Sequence, residues 1–237
     1  MRPVKGEPLY EGKAKIIYTT SDPRNVIQYF KDDATAFNAE KRGQITGKGE
    51  INNRISSVIF QLLEKKGIKT HYIDTLSDRE MLVKHVEIFP LEVVIRNITA
   101  GSVCKRLGRE EGAEIDPPLV EFFYKCDNLG DPLINRGHII AFDWATPEEI
   151  DYMKSEALKI NEIMKEFWLE RGIKLVDFKL EFGKDLEGNN VLADEISPDS
   201  CRLWDVNTNE KLDKDRFRFD LGKIEESYQN LLQRAEK

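Results

Sequence analysis

Apolar residues recur at helical spacing in three stretches of the chain. In residues 50–66, Ile51, Ile55, Val58, Ile59, Leu62 and Leu63 fall on one stripe that stops at Gly67, which predicts a helix with a glycine C-terminus. Thr146-Pro147-Glu148-Glu149 supplies an N-cap, a proline at the first helical position and a capping-box glutamate. It opens a second helix with Ile150, Met153, Ala157, Ile160, Met164 and Trp168 on one face, closed by Gly172. A third amphipathic helix, from about Lys223 to Ala235, is built on Ile224, Tyr228, Leu231 and Leu232. Elsewhere the period is two. Lys15–Tyr18 and Val26–Phe30 flank a cluster of turn formers and read as paired strands, and further strands are expected at 70–75, 79–86 and 92–98. Pro90 is expected to interrupt any ladder before the last of these, and a lobe boundary is placed near Val83 to Ile88. Val176-Asp177-Phe178-Lys179-Leu180-Glu181-Phe182 alternates strictly and, with Val191–Ile196 beyond a loop at 183–190, predicts a hairpin.

Charge narrows the range of partners. Thirty-six basic against 43 acidic residues in 237 leave a net charge of −7, which argues against broad contact with nucleic acid or an anionic membrane, so any polyanion site must be local. Cys104, Cys126 and Cys201 are sparse and far apart, neither a disulfide framework nor a zinc ribbon, and fit a reducing cytoplasm. The N-terminal residues offer no signal-peptide core and no window approaches a membrane span, so a cytoplasmic location is expected.

Several motifs carry candidate chemistry. Gly43–Gly49 falls short of a Walker A loop in spacing and lacks its Ser or Thr. His71, His85 and His138 have no partner at ligand spacing and read as structural or surface residues. Gly12-Lys13-Ala14-Lys15 puts two ammonium groups on one strand face beside a glycine, which suits a polyphosphate and equally suits a solvent-facing edge guarded by lysines. Arg96 through Arg106 runs from a strand through Gly101-Ser102 into a helix, with a hydroxyl and a nearby guanidinium, as a phosphate monoester site or as an ordinary Ser-capped helix with surface bases. In the hairpin, Asp177, Lys179 and Glu181 share the face opposite the apolar residues, and Asp194 and Glu195 are expected on the partner strand. Carboxylates from adjacent strands are hard ligands suited to Mg²⁺, although cross-strand ion pairs would give the same pattern. The dense turn from Glu195 to Asp205 favours the functional reading, whereas the charged run Lys211–Arg218 reads as a solvated helix face or loop.

Taken together, Tyr10–Lys15, Arg96–Ser102, Val176–Gly183, Asp194–Asp205 and Asp213–Arg218 resemble, in order and spacing, the SAICAR synthetase family of purine biosynthesis. The resemblance implies an α+β, two-lobed fold related to ATP-grasp and kinase-like architectures, with mainly antiparallel sheets and flanking helices. It divides the chain into a nucleotide-binding lobe, 1–84, and a lobe with the substrate and metal sites and the closing helix, 85–237. It implies ligation of carboxyaminoimidazole ribonucleotide to L-aspartate with ATP and Mg²⁺, through an acyl phosphate, in a homodimer. By position, Gly12, Lys13, Ala14, Lys15, Val83, Lys84 and Ile88 would hold ATP, with Glu181 and Asp194 on its metal and Asp131 and Glu50 as further metal candidates. Arg96, Ser102, Asp177, Arg202, Lys214 and Arg218 would bind the ribonucleotide, and Lys125, Lys179 and Asp199 would lie at the reacting carboxylate. Phosphorylating a carboxylate needs positioning and charge neutralisation more than a protein nucleophile, consistent with the absence of a catalytic Ser, Cys or His motif.

Two rivals remain from the residues alone. Glu181-Phe182-Gly183 echoes the D-F-G of kinases, which points to a small-metabolite phosphotransferase, but no H-R-D-x-x-x-x-N or V-A-I-K accompanies it. A non-catalytic nucleotide-binding module is the other, and it would have no use for Lys179 and Glu181 beside Asp194.

Overall fold

The computed structural model describes residues 3–36 and 40–237. Five antiparallel strands form the first sheet. Three are β1 (Lys5–Glu11), β2 (Lys15–Thr20) and β3 (Asn25–Phe30), and a separate ladder of β4 (Asp33–Ala36) with β5 (Lys41–Gln44) follows them. After helix α1 (Lys48–Lys65), β6 (Tyr72–Ser77) and β7 (Glu80–Lys84) complete the sheet in the order β1-β2-β3-β7-β6. The second sheet begins one residue after the first ends. Its strands are β8 (Val86–Ile98), β9 (Glu114–Tyr124), β10 (Leu133–Ile134), β11 (Ile173–Asp185) and β12 (Asn190–Ala193), in the order β10-β9-β8-β11-β12, and β13 (Cys201–Asp205) also pairs with β11. The remaining helices are α2 (Ser102–Leu107), α3 (Arg136–Ala141), α4 (Pro147–Leu169), α5 (Asp215–Arg218) and α6 (Ile224–Ala235).

The expected α+β class and all three long helices are present. The Thr146–Glu149 capping box forms at the head of α4, and Met153, Ile160, Met164 and Trp168 pack into the core. Helix α1 buries Ile51, Ile55, Ile59 and Leu63 of its predicted stripe against the first sheet, α4 and α6, with Val58 and Leu62 half-buried, and Asp32 holds its head by accepting from the backbone N–H groups of Gly47 (3.3 Å) and Gly49 (2.9 Å). At Gly49 only hydrogen fits, because a Cβ would stand 2.3 Å from the Phe30 carbonyl oxygen. A single apolar cluster takes side chains from both sheets and from α1, α4 and α6. No helix among the described residues is long and apolar enough to cross a membrane.

Three expectations change. Pro90 does not end a strand: β8 runs through it. The register against β11 shifts there, from Ile88↔Gly183 to Glu92↔Glu181, so the missing N–H falls in a bulge, and the Pro90 carbonyl accepts from Lys125 N at 3.0 Å. The partner strand of the hairpin stops at Ala193, so Asp194 and Glu195 lie beyond it rather than on it. The charged run at 211–218 is packed, not solvated: Leu212, Asp213, Asp215, Arg216 and Phe217 are buried.

Candidate active site

Strand β11 organises the site. Phe178, Leu180 and Phe182 pack into the core, and Asp177, Lys179 and Glu181 face the other way at two-residue steps. That polar face is covered rather than solvated, since Asp177 and Glu181 are both buried.

At one end of the strand lies a cleft of about 610 Å³ between the two sheets. Gly12, Lys13, Ala14 and Lys15 line it from the first sheet, Val83, Lys84 and Ile88 from the crossing point, and Lys125, Asp131, Lys179, Glu181 and Asp194 from the second. Lys15 pairs with Asp194 and, at 3.0 Å, with Glu195, while Lys125 pairs with Glu181. Lys179 Nζ sits among Glu181 (2.5 Å), Glu92 (3.1 Å) and Asp194 (3.8 Å). Burial alone would lower the Lys179 ammonium, yet Glu181, Glu92 and Asp194 together raise it well above its ordinary value, so it stays charged. Asp194 is held below the usual carboxylate range, since Lys15, Lys179 and Lys125 outweigh the cost of burying it. Lys13 reaches across the cleft mouth to Asp127 at 2.6 Å.

Farther along the strand, Asp177 enters a chain of alternating charge whose carboxylates and Arg96 are buried and whose other arginines are part-exposed. Arg106 pairs with Glu121, Glu121 with Arg96 (2.7 Å), and Arg96 with Asp177 (2.8 Å). Asp177 continues to Arg202 (2.8 Å), Arg202 to Asp215 (2.9 Å) and Asp215 to Arg218 (2.6 Å). Four guanidiniums on three carboxylates leave an excess positive charge, and the chain ends in an arginine on each side. Ser102 accepts from Arg96 Nη2 at 3.1 Å. Gly101 before it, at φ 61°, lets Arg202 approach so closely that a Cβ would lie 2.5 Å from its Nη2. The expected alternative of a Ser-capped helix does not hold, because the serine side chain caps no backbone N–H.

Asp199 forms a third group beside the strand, where Lys179 N donates to Ser200 O at 2.9 Å. Lys48 (2.8 Å) and Lys214 (3.4 Å) both meet Asp199 Oδ2, and Tyr228 donates to Oδ1 at 2.9 Å. Burial lowers the Lys214 ammonium against the pull of Asp199, and nearby Arg218 and Lys48 lower it further. Next to it, burial and then the Asp215 charge push Asp213 up to about 7, while Asp215, between Arg202 and Arg218, stays ionised. In the unfolded chain Asp213 loses its proton near its ordinary value of 3.8, whereas the folded chain keeps it to about pH 7. Its contribution to stability therefore falls as pH rises through that window and levels off above it. Urea titrations at pH 4.5, 6 and 8 should show the native chain losing stability relative to Asp213→Asn, whose amide does not titrate; a constant difference would contradict this.

The structure thus gathers the expected residues into three adjoining groups, with one standing apart. Glu50, in the first turn of α1, faces Arg54 at 3.6 Å and does not line the cleft. Sequence reasoning missed Glu92, Glu121, Lys48, Tyr228 and Gln28, whose partners lie far away along the chain. It also read His71 as isolated, whereas the ring is buried in the cleft wall, and desolvation lowers it to about 3, so it is neutral. Cys201 is a buried packing residue whose thiol burial pushes up.

Known proteins share the fold and much of the sequence. A family model described as SAICAR synthetase matches residues 8–235. The phosphoribosylaminoimidazole-succinocarboxamide synthase of Persephonella marina is 60% identical over 233 residues, 98% of each chain. The crystal structure of the enzyme of that name from Ehrlichia chaffeensis is 51% identical with a TM-score of 0.95, covering 97% of this chain and 98% of that one. A SAICAR synthetase (Type-2) solved in complex with ADP is 49% identical with a TM-score of 0.93, covering 95% and 96%. With its fold and nearly its whole length shared with these proteins, the chain belongs to the SAICAR synthetase family.

Proposed function

We propose that this chain carries out the family's reaction, ATP-dependent ligation of carboxyaminoimidazole ribonucleotide to L-aspartate, with the polar face of β11 joining its two anion sites. The observation that carries this reading is the placement of Asp177, Lys179 and Glu181 on one covered strand face, between the arginine chain and the cleft. ATP occupies the cleft, with Lys13 and Lys15 toward its phosphates and Val83, Lys84 and Ile88 toward its base. Residues 1–84 form the nucleotide lobe and 85–237 the lobe that holds the other substrates. Arg96, Ser102, Arg202 and Arg218 take the ribonucleotide phosphate, Asp177 fixes two of those arginines, and Lys214 assists them.

Lys179 and Lys125 neutralise the charge that gathers when the substrate carboxylate meets the terminal phosphate, and Asp199 lies where the incoming amine arrives. The carboxylate oxygen displaces ADP from the terminal phosphorus to give an acyl phosphate. The aspartate amine then forms the amide bond, expels phosphate and gives up a proton.

Glu181 and Asp194 present hard oxygens on either side of the Lys179 ammonium, a donor set suited to Mg²⁺. No three His, Cys, Asp or Glu side chains gather into a metal cage among the described residues, so phosphate oxygens and water would complete the shell, with Asp131 near enough to the cleft to contribute. Bound there, Mg²⁺ would neutralise phosphoryl charge. Glu50 has no part in this arrangement. A homodimer in the cytoplasm completes the proposal; the three free cysteines suit a reducing compartment.

Incubation with ATP, Mg²⁺, the ribonucleotide and L-aspartate should give ADP and the succinocarboxamide in equal amounts. ATP loss that ignores aspartate, or no amide product, would overturn the reading.

A further inference from the structure

Asp194 reaches the cleft by a route that alternation forbids. Ala193 stands opposite Glu181 in the β11–β12 ladder and shares its face, so an extended residue 194 would point with Leu180 into the core. Instead Asp194 adopts φ 65°, a left-handed conformation uncommon outside glycine, and this turn swings its carboxylate back to Lys15 and Lys179. Such a conformation persists when its surroundings hold it. The edge of β12 is fixed by His71 N donating to Leu192 O (2.8 Å) and Leu192 N donating to Lys69 O (3.0 Å). The turn itself is held from the other sheet: Gln28 Nε2 donates to the Asp194 carbonyl at 3.1 Å.

Gln28 is out of place by every packing rule. It lies on the face of β3 that carries Val26 and Phe30, both in the apolar core, and is only 3% exposed. An amide buried there without a partner would be costly, and a leucine would pack in its place. Its side chain also lines the cleft.

We propose that Gln28 is a positioning residue: by holding the Asp194 carbonyl across the gap between the sheets, it keeps the left-handed turn that aims the Asp194 carboxylate into the nucleotide site. This rests on the reading of Asp194 as part of that site. Gln28 thereby ties the nucleotide lobe to the acid that serves the nucleotide.

A double-mutant cycle on the full chain tests it, with ADP affinity measured by calorimetry at fixed Mg²⁺ concentration. Gln28→Leu should weaken ADP binding roughly tenfold, the scale of a lost buried hydrogen bond with its partner left unpaired. The same change in an Asp194→Asn background should weaken it less than twofold further. In steady state, Gln28→Leu should raise KM for ATP and leave KM for L-aspartate unchanged. Equal losses in both backgrounds would make Gln28 merely structural and overturn the proposal, as would unchanged binding in Gln28→Leu. If Asp194→Asn alone binds ADP as tightly as the native chain, it is the nucleotide-site reading that fails. Should Gln28→Leu not fold, Gln28→Met, equal in length and without a donor, takes its place in the same cycle.

Discussion

Lys179→Ala is expected to lower ligation turnover about 100- to 1000-fold, the scale of removing one preorganised charge-stabilising group from a water-poor site, while the far-UV circular dichroism stays native. Its ammonium touches Glu181, Glu92 and Asp194 together. Without it three carboxylates would face the triphosphate and the substrate carboxylate with one fewer cation beside Lys13, Lys15, Lys125 and the metal to offset them. The loss should fall on kcat more than on KM for the ribonucleotide, whose phosphate is proposed to bind among the arginines around Asp177. Turnover within tenfold of the native enzyme would remove Lys179 from the chemistry, and a loss of fold would mean that its ion pairs are structural.

The second large effect concerns Asp177, which accepts from Arg96 and Arg202 at 2.8 Å each. Asp177→Ala leaves two guanidiniums facing one another in a buried site, so the ligand-free protein should lose about 3 kcal/mol, the low end for breaking a buried pair, because Glu121 and Asp215 still hold the outer sides. A dianionic phosphate ester supplies the missing charge. Thermal unfolding should therefore show Asp177→Ala gaining more from added ribonucleotide than the native chain gains. Equal gains would mean that the ester does not bind between these arginines.

These two predictions draw on the part of the site that was most legible. Strict alternation over Val176–Phe182 fixed which side chains shared a face, because a strand has no other choice. The same rule failed at Asp194, where one left-handed residue reverses the direction that alternation assigns. Strand β9 went unseen because Pro117 and Pro118 interrupt its pattern, and its Glu121 went with it, although it anchors two arginines. The run at 211–218 misled for a related reason. Local charge density reads as solvation, but Asp213 is buried against the backbone N–H of Leu203 and Asp215 against Arg202, partners outside the run, while Arg216 folds back on Glu210. Family resemblance located Arg202 and Arg218, but not Gln28 or Lys48, whose contacts only the tertiary structure displays.

The even spacing of acid, lysine and acid along β11 makes the strand a ruler. At about 3.3 Å per residue, Asp177 and Glu181 stand roughly 13 Å apart, and the backbone between them cannot stretch. On the proposed placement of the substrates, that fixed span would measure the ribonucleotide end to end: with its phosphate among the arginines, its carboxylate would meet the triphosphate only at one set distance, and shorter or longer homologues would bind by one end without reacting.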